Sequence, residues 1–288
     1  AMRRILLSVL LAVGFPCVLP SLGWSQEPNF EGTPKSEWLK MLKEDKVSRR
    51  REVAARVLVT FGFTEPGIIE AFKTALAEDQ SEKVRAQICN LVTQPSTADA
   101  ERRKKIEGEI RKLVVPLSDA LLNDKSPEVR TAAAKALGRL GQLSTPTVKA
   151  LGEAMKDKDG NTRAAVAEAI GRIGSAASSL APELKSALGD MEAPVRQWAA
   201  FALGRIGTEG ASATAELAKL FSSDPDPVIR SEAALSIGLL GTSAKEAIPA
   251  LLGCFAEGKE KDANVRTQAA KSLGKMEDEL KKHGRVVI

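Results

Sequence analysis

The amino-acid sequence predicts an all-α protein, a right-handed α-solenoid of about seven two-helix repeats. Of 288 residues, 43% are apolar but only 4% aromatic, and tyrosine is absent. That is the composition of an Ala/Leu-rich helical chain, far from that of a β-sandwich or barrel. An arginine recurs at Arg51, Arg85, Arg130, Arg163, Arg196, Arg230 and Arg266, in steps of 34, 45, 33, 33, 34 and 36 residues, and self-similarity at such a period marks a repeat architecture. Three positions after this marker come Ala54, Ile88, Ala133, Val166, Ala199, Ala233 and Ala269; seven after it come Leu58, Val92, Leu137, Ile170, Leu203, Ile237 and Leu273. Apolar residues at that spacing form one helical stripe.

From the N-terminus, residues 1–25 read as an export signal: Arg3 and Arg4 precede an uncharged apolar run that breaks at Pro16 and Pro20 and reaches Gly23-Trp24-Ser25. Cleavage is expected before Gln26. An uncleaved membrane anchor is disfavoured because Gly14, Pro16 and Pro20 shorten the helix a bilayer needs. Losing two arginines and no acid takes the formal charge from +5 to +3, too mild a balance to argue for nucleic acid. Residues 26–34 read as a linker, 35–282 as the solenoid and 283–288 as a tail; no other stretch is apolar enough to span a membrane.

Within the repeats, each marker helix follows a second amphipathic segment, as at residues 147–155, 182–188, 213–221 and 247–255, with starts marked by Pro127, Pro146, Pro182, Pro194 and Pro227. Eight positions after the marker stand Gly138, Gly171, Gly204, Gly238 and Gly274. Glycine costs helix propensity, so its recurrence predicts close helix-to-helix approach. Further glycines, Gly141, Gly174, Gly207 and Gly241, are placed to close the helices. Such a unit cannot bury its own apolar face, which makes stacking obligatory.

The recurring run Asp-x-x-x-x-Val-Arg-x-x-Ala-Ala-x-Ala-Leu-Gly-x-Ile/Leu-Gly resembles HEAT repeats, the short, glycine-marked kind also found in phycobilin lyases, over roughly residues 35–282. It is strongest from Asp124 to Gly241 and weakest in the second repeat, where Cys89, Thr93 and Pro95 depart from the pattern. The resemblance implies an Asp-Arg ladder joining neighbouring repeats, with Asp124, Arg130, Asp157, Arg163, Asp190, Arg196, Asp224 and Arg230 in structural roles. It also allows two enzyme classes to be checked. Deoxyhypusine hydroxylase binds iron through His-Glu pairs, and the single histidine here, His283, precedes a glycine. Phycobilin lyases act in the cytoplasm, where an exported chain would not be.

The long step between Arg85 and Arg130 holds an insertion of about a dozen residues, 94–105, with the charge cluster Glu101-Arg102-Arg103-Lys104-Lys105. It reads as a lengthened first helix, solvated by its charges and kinked at Pro116. Cys89 and Cys254 lie five repeats apart, on the order of 50 Å when helices pack about 8–10 Å from one another. A disulfide tolerates about 7 Å between Cα atoms, so these two are not expected to pair within one chain. Residues 253–259 match the opening of a phosphate-binding loop, but Glu260 replaces the magnesium-holding hydroxyl and a helix precedes it. The run from Asp157 to Glu168 has calcium-loop spacing, but Thr162 occupies the required glycine, and Asp157 and Arg163 are in register with the repeat. No metal site and no cofactor is expected.

What remains is binding. In HEAT solenoids the second helices line the concave face, and positions one, five and nine after the marker are expected to project together. Position nine gives an arginine row, Arg139, Arg172 and Arg205, beside an apolar group of Trp198, Phe201, Leu235 and Leu239. Trp198 fits either a contact surface or a place under the neighbouring helix. The expected function is a secreted or periplasmic, non-enzymatic scaffold binding another protein or extended peptide, with an acidic partner favoured by the row. The alternative is an enzyme or accessory subunit acting on an anionic envelope ligand through the arginines, with acids such as Glu168 or Glu232. Mass spectrometry of the mature protein should find its N-terminus near Gln26; an intact chain in the membrane fraction would defeat export and release.

Overall fold

The computed structural model describes residues 27–95, 97–256 and 258–282; the expected leader, the tail and His283 lie outside the described residues. A small hairpin opens the fold, β1 (Asn29–Phe30) pairing antiparallel with β2 (Thr33–Pro34). Its turn residues Glu31 and Gly32 both have positive φ, 51° and 79°, as a type I′ turn requires. Glu27 ties the hairpin to the first helix by accepting from the Ser36 backbone N–H and hydroxyl.

Helix pairs then stack in chain order: α1 (Lys35–Glu44) with α2 (Ser48–Phe61), and α3 (Ile68–Glu78) with α4 (Glu82–Leu91). The insertion forms α5 (Ala100–Arg111), followed by α6 (Val114–Asn123) with α7 (Pro127–Leu140). The remaining pairs are α8 (Val148–Ala154) with α9 (Gly160–Ile173), α10 (Ala181–Ala187) with α11 (Ala193–Leu203), α12 (Thr214–Ser223) with α13 (Pro227–Leu240), and α14 (Ile248–Gly253) with α15 (Ala263–Lys282). The whole is an α-solenoid. Residues three after each marker are all fully buried, and so are those seven after it except the half-buried Leu273. Gly141, Gly174, Gly207 and Gly241 close their helices at φ of 55°, 74°, 90° and 57°, the left-handed region open to glycine without a Cβ penalty.

One sequence expectation is corrected. The insertion is not one lengthened helix kinked at Pro116: α5 ends at Arg111, the break falls at Lys112 and Leu113, and Pro116 sits in the first turn of α6. There its missing N–H has no intrahelical partner to lose. The ladder joins neighbouring repeats, and its direction is forward: each marker arginine reaches the turn acid of the following repeat. Arg51 forks onto Asp79, Arg85 onto Asp124, Arg130 onto Asp157, Arg163 onto Asp190, Arg196 onto Asp224 and Arg230 onto Glu260, at salt-bridge distances of 2.6–2.8 Å.

Each fork is closed on every side. The third guanidinium nitrogen donates to a carbonyl in the arginine's own turn, as Arg163 does to Asp157 at 2.8 Å. The acid in turn accepts the backbone N–H two residues on, as Asp190 does from Glu192 at 2.9 Å. A buried ion pair is tolerated when its remaining donors and acceptors are satisfied in this way. The Arg163 guanidinium holds the Asp190 carboxyl below the usual range, and Arg230 does the same for Glu260. At Asp124 and Asp157 burial pushes upward most strongly, and only the arginine hydrogen bond, the backbone N–H bond two residues on and the neighbouring positive charges together bring the carboxyl below the usual range.

Glycines at position eight set the spacing of the second helices. A Cβ on Gly138 would lie 2.9 Å from the Ala169 Cα, one on Gly204 2.9 Å from the Ser236 Cα, and one on Gly238 2.9 Å from the Ser272 Cα. Nothing lies within 4 Å of such a Cβ on Gly274. Among the described residues no helix is long and apolar enough to cross a membrane. Cys89 and Cys254 are free and buried; burial pushes the Cys89 thiol up to about 12, so little reactive thiolate forms.

Gly204→Ala should cost about 1–3 kcal/mol by forcing backbone apart, whereas Gly274→Ala should be neutral or stabilising by up to about 1 kcal/mol; denaturant melts of the two variants check the contrast. Arg130→Ala, which strands the Asp157 carboxylate, should cost about 3 kcal/mol. Because the carboxyls of Asp124, Asp157, Asp190 and Glu260 have depressed folded values, their stabilisation is present above the usual carboxylate range and is lost as pH falls below about 4. Melts at stepped pH should show that loss, reduced in Asp190→Asn.

Candidate functional site

Open clefts separate successive first helices, as between α1 and α3 or between α10 and α12. The second helices pack against one another at glycine. Successive second helices thus approach one another more closely than successive first helices do, which puts the second helices on the inner side of the stack. Positions five and nine of those helices point into the groove: Arg56, Lys135, Arg172, Arg205, Leu239, Lys271 and Lys275 are exposed. Position one does not project as expected. Glu52, Ala86 and Ala164 are buried there, though Thr267 is exposed; at position two Trp198 and Glu232 reach the surface half-buried, while Ala132 and Ala165 are buried.

Repeats four to six form the centre of the groove. The Trp198 and Phe201 rings meet edge to face at 4.9 Å, and the Arg205 guanidinium carbon stacks 3.6 Å above the Phe201 ring centre, a cation–π geometry. Phe201 packs over Gly171, where a Cβ would come within 2.5–2.6 Å of its ring; glycine there lets a phenylalanine lie flat between α9 and α11. Leu235 is half-buried and Leu239 is 42% exposed. Arg172 pairs with Glu168 one turn earlier at 2.8 Å and stays 50% exposed.

Arg139 departs from the expected row. Its Nη2 donates to the Cys89 carbonyl at 2.8 Å and its Nε to that of Val92 at 3.3 Å, and burial lowers its pKa. The cause lies in the second repeat: α4 stops at Leu91, with Thr93 and Pro95 where other repeats have glycine and a continuing helix. The Cys89 carbonyl accepts the Val92 N–H at 3.3 Å, and Arg139 adds a side-chain donor to it and to the Val92 carbonyl, where no glycine-closed turn follows. Gln94 fixes the same corner by donating to the Leu140 carbonyl at 2.7 Å.

Glu232 was not among the expected partner-binding residues. Its side chain is 19% exposed, its Oε1 accepts no hydrogen bond, and Arg205 stands 3.8 Å away. Burial raises its carboxyl above the usual range, against the pull of Arg205. The sequence offers it, with Glu168, only as an acid of the alternative reading. Elsewhere the calcium-like loop is consumed by structure: Asp157 holds Arg130 while Asp159 caps α9 by accepting from the Thr162 N–H and hydroxyl. Among the described residues no three His, Cys, Asp or Glu side chains gather in a way that could hold a metal ion.

Residues 114–182 and 181–274 match the family model described as HEAT repeats. The chain belongs to the HEAT-repeat family. An archaeal HEAT-like repeats protein from Thermococcus onnurineus NA1 is similar at TM-score 0.57 and 13% identity, over 88% of this chain and 99% of that one. Computationally designed armadillo repeat proteins for modular peptide recognition are similar at TM-score 0.53 and 18% identity, over 72% and 99%. Human deoxyhypusine hydroxylase in complex with glycerol aligns at TM-score 0.35 and 19% identity, over 85% and 96%. No curated protein matches the sequence.

The HEAT solenoid places an ionisable, poorly solvated acid at Glu232. Its raised folded value means that the cost of its charge appears as pH rises through that value and vanishes at acid pH. Glu232→Gln should therefore raise the melting temperature at pH 7 and leave it unchanged at pH 4; equal melts at pH 7 would mean the carboxylate is well solvated.

Proposed function

We propose that this HEAT-repeat chain is an exported, non-enzymatic scaffold that holds another protein or an extended peptide in its inner groove. One observation carries the reading: Trp198 and Phe201 meet edge to face with Arg205 stacked on Phe201, and Leu235 and Leu239 stand incompletely buried on the next second helix, α13. An apolar and aromatic cluster with arginine at its rim is the composition of a binding hot spot. The cations at positions five and nine outnumber Glu168, the acid at those positions, which favours a partner segment rich in Asp and Glu. The designed armadillo proteins share the fold, while the groove's own residues carry the function.

Export rests on Arg3, Arg4 and the apolar run after them, and puts the scaffold in the periplasm or outside the cell. The short, glycine-marked repeat type shared with phycobilin lyases is read here as an architecture, since the groove offers no histidine or accessible cysteine for covalent work.

Crosslinking in the native envelope should capture an acidic partner on repeats four to six. Arg172→Ala with Arg205→Ala should mainly slow its association and flatten the salt dependence, because long-range attraction governs encounter. Leu239→Ala, which has little core to lose, should raise dissociation at an unchanged melting temperature, and Trp198→Ala should cost on the order of 2 kcal/mol in affinity. Partner affinity untouched by Trp198→Ala, Leu239→Ala and the double arginine variant would reject the groove. Phe201→Ala separates the roles: a lowered melting temperature with intact affinity assigns Phe201 to the fold alone.

A further inference from the structure

Internal repetition makes the interior repeats a standard for the two ends. In the interior, every marker arginine forks onto the next repeat's turn acid. At the C-terminal end, Arg266 keeps only its Nη1 bond to the Glu260 carbonyl at 2.8 Å. At the N-terminal end, Asp45 receives no marker arginine. Its carboxylate accepts the Val47 N–H at 2.8 Å and is approached at 3.6 Å by the exposed Arg50, while its carbonyl accepts from Arg51. That is the turn geometry of every interior acid that does receive a guanidinium, so Asp45 is preformed as an acceptor. Among the described residues, the ladder thus has one donor and one acceptor without a ladder partner, of opposite charge, in its last and first repeats.

The surfaces around them are unpartnered in the same sense. Ala270 is exposed at position four, where Ala55, Cys89, Ala134, Ala167, Ala200 and Ala234 are all 0% exposed. Gly274 stands open where the preceding glycines meet the next helix. Phe255, four residues after the buried leucine of its first helix, is 47% exposed, while Met155, Leu188 and Phe221 at that place are buried. At the other end, position six is the one that meets the preceding repeat, as Ala169 and Ser236 do. In α2 the exposed apolar face is narrower: Val57 at that position is buried at 8% exposure, Val53 and Phe61 one turn each way are half-buried, and Val47 is 49% exposed beside Asp45.

We infer that the C-terminal end of one copy stacks on the N-terminal end of a second copy, with Arg266 of the first forking onto Asp45 of the second as a further rung of the ladder. Such a contact is heterologous, so each joint leaves a free end and the assembly grows head to tail. Charge complementarity fixes the orientation, since two like ends would oppose guanidinium to guanidinium or carboxylate to carboxylate.

Sedimentation equilibrium across a concentration series tests the stack. The protein should associate progressively with concentration; Arg266→Glu and Asp45→Arg should each weaken association by about tenfold or more. Mixing the two variants should restore it, because the reversed charge at one end of the first variant then meets the reversed charge at the other end of the second. Ala270→Arg, which leaves both charges in place, should also block growth, and melting curves should show all three variants folded. A protein that stays monomeric throughout, or associates equally well as Arg266→Glu, overturns the inference. Association that begins only after removal of residues 283–288 overturns it too, by placing that segment on the face.

Discussion

The two-pronged hydrogen bond between a marker arginine and the following repeat's turn acid sets the geometry that the rest of the molecule follows. Each guanidinium spends all its donor directions, two on the next repeat and one on its own turn, and each acid also caps its own turn. The pair therefore fixes three things at once: the turn conformation, the start of the second helix and the position of the next repeat. A single charged contact in a low-dielectric setting would be costly, but a fully satisfied fork repeated at six joints ties the modules without leaving an orphaned charge.

With the joint fixed, glycine and its small counterpart decide how near the second helices come. Gly138, Gly204 and Gly238 sit against Ala169, Ser236 and Ser272, and the axes close up on that side while open clefts remain between the first helices. Gly171 breaks this series in an instructive way, because the space it leaves is filled by the Phe201 ring as well as by Ala202. The same substitution of glycine for side chain thus serves packing at three joints and at the fourth lets an aromatic residue lie in the groove under Arg205.

The groove residues were readable from the repeat register to different depths. Arg172, Arg205 and Leu239 stand exposed, as a projecting ninth position requires. Arg139 occupies the same register but faces another environment, since the shortened α4 brings the Cys89 and Val92 carbonyls within its reach. The signal was present in the departures at Thr93 and Pro95, though no helical spacing says which neighbour will use the space they leave. Glu232 was legible as an acid beside the arginines, but its poor solvation was not, because that comes from Arg205 and the packing of α11 against α13.

By itself the sequence determined the unit, its period, the buried stripe at positions three and seven, the closing glycines and the residues of the ladder. All of these are local or strictly periodic, so composition and spacing contain them. Only the tertiary structure decided that each arginine reaches forward to the next repeat's acid, that Trp198 and Glu232 at position two reach the surface while Glu52, Ala86 and Ala164 at position one are buried, that the insertion breaks at Lys112 and Leu113, and that Arg139 serves the fold. Those outcomes depend on the angle and distance between neighbouring helices. That relation is set by packing between residues some 30 positions apart along the chain, and no single helix encodes it.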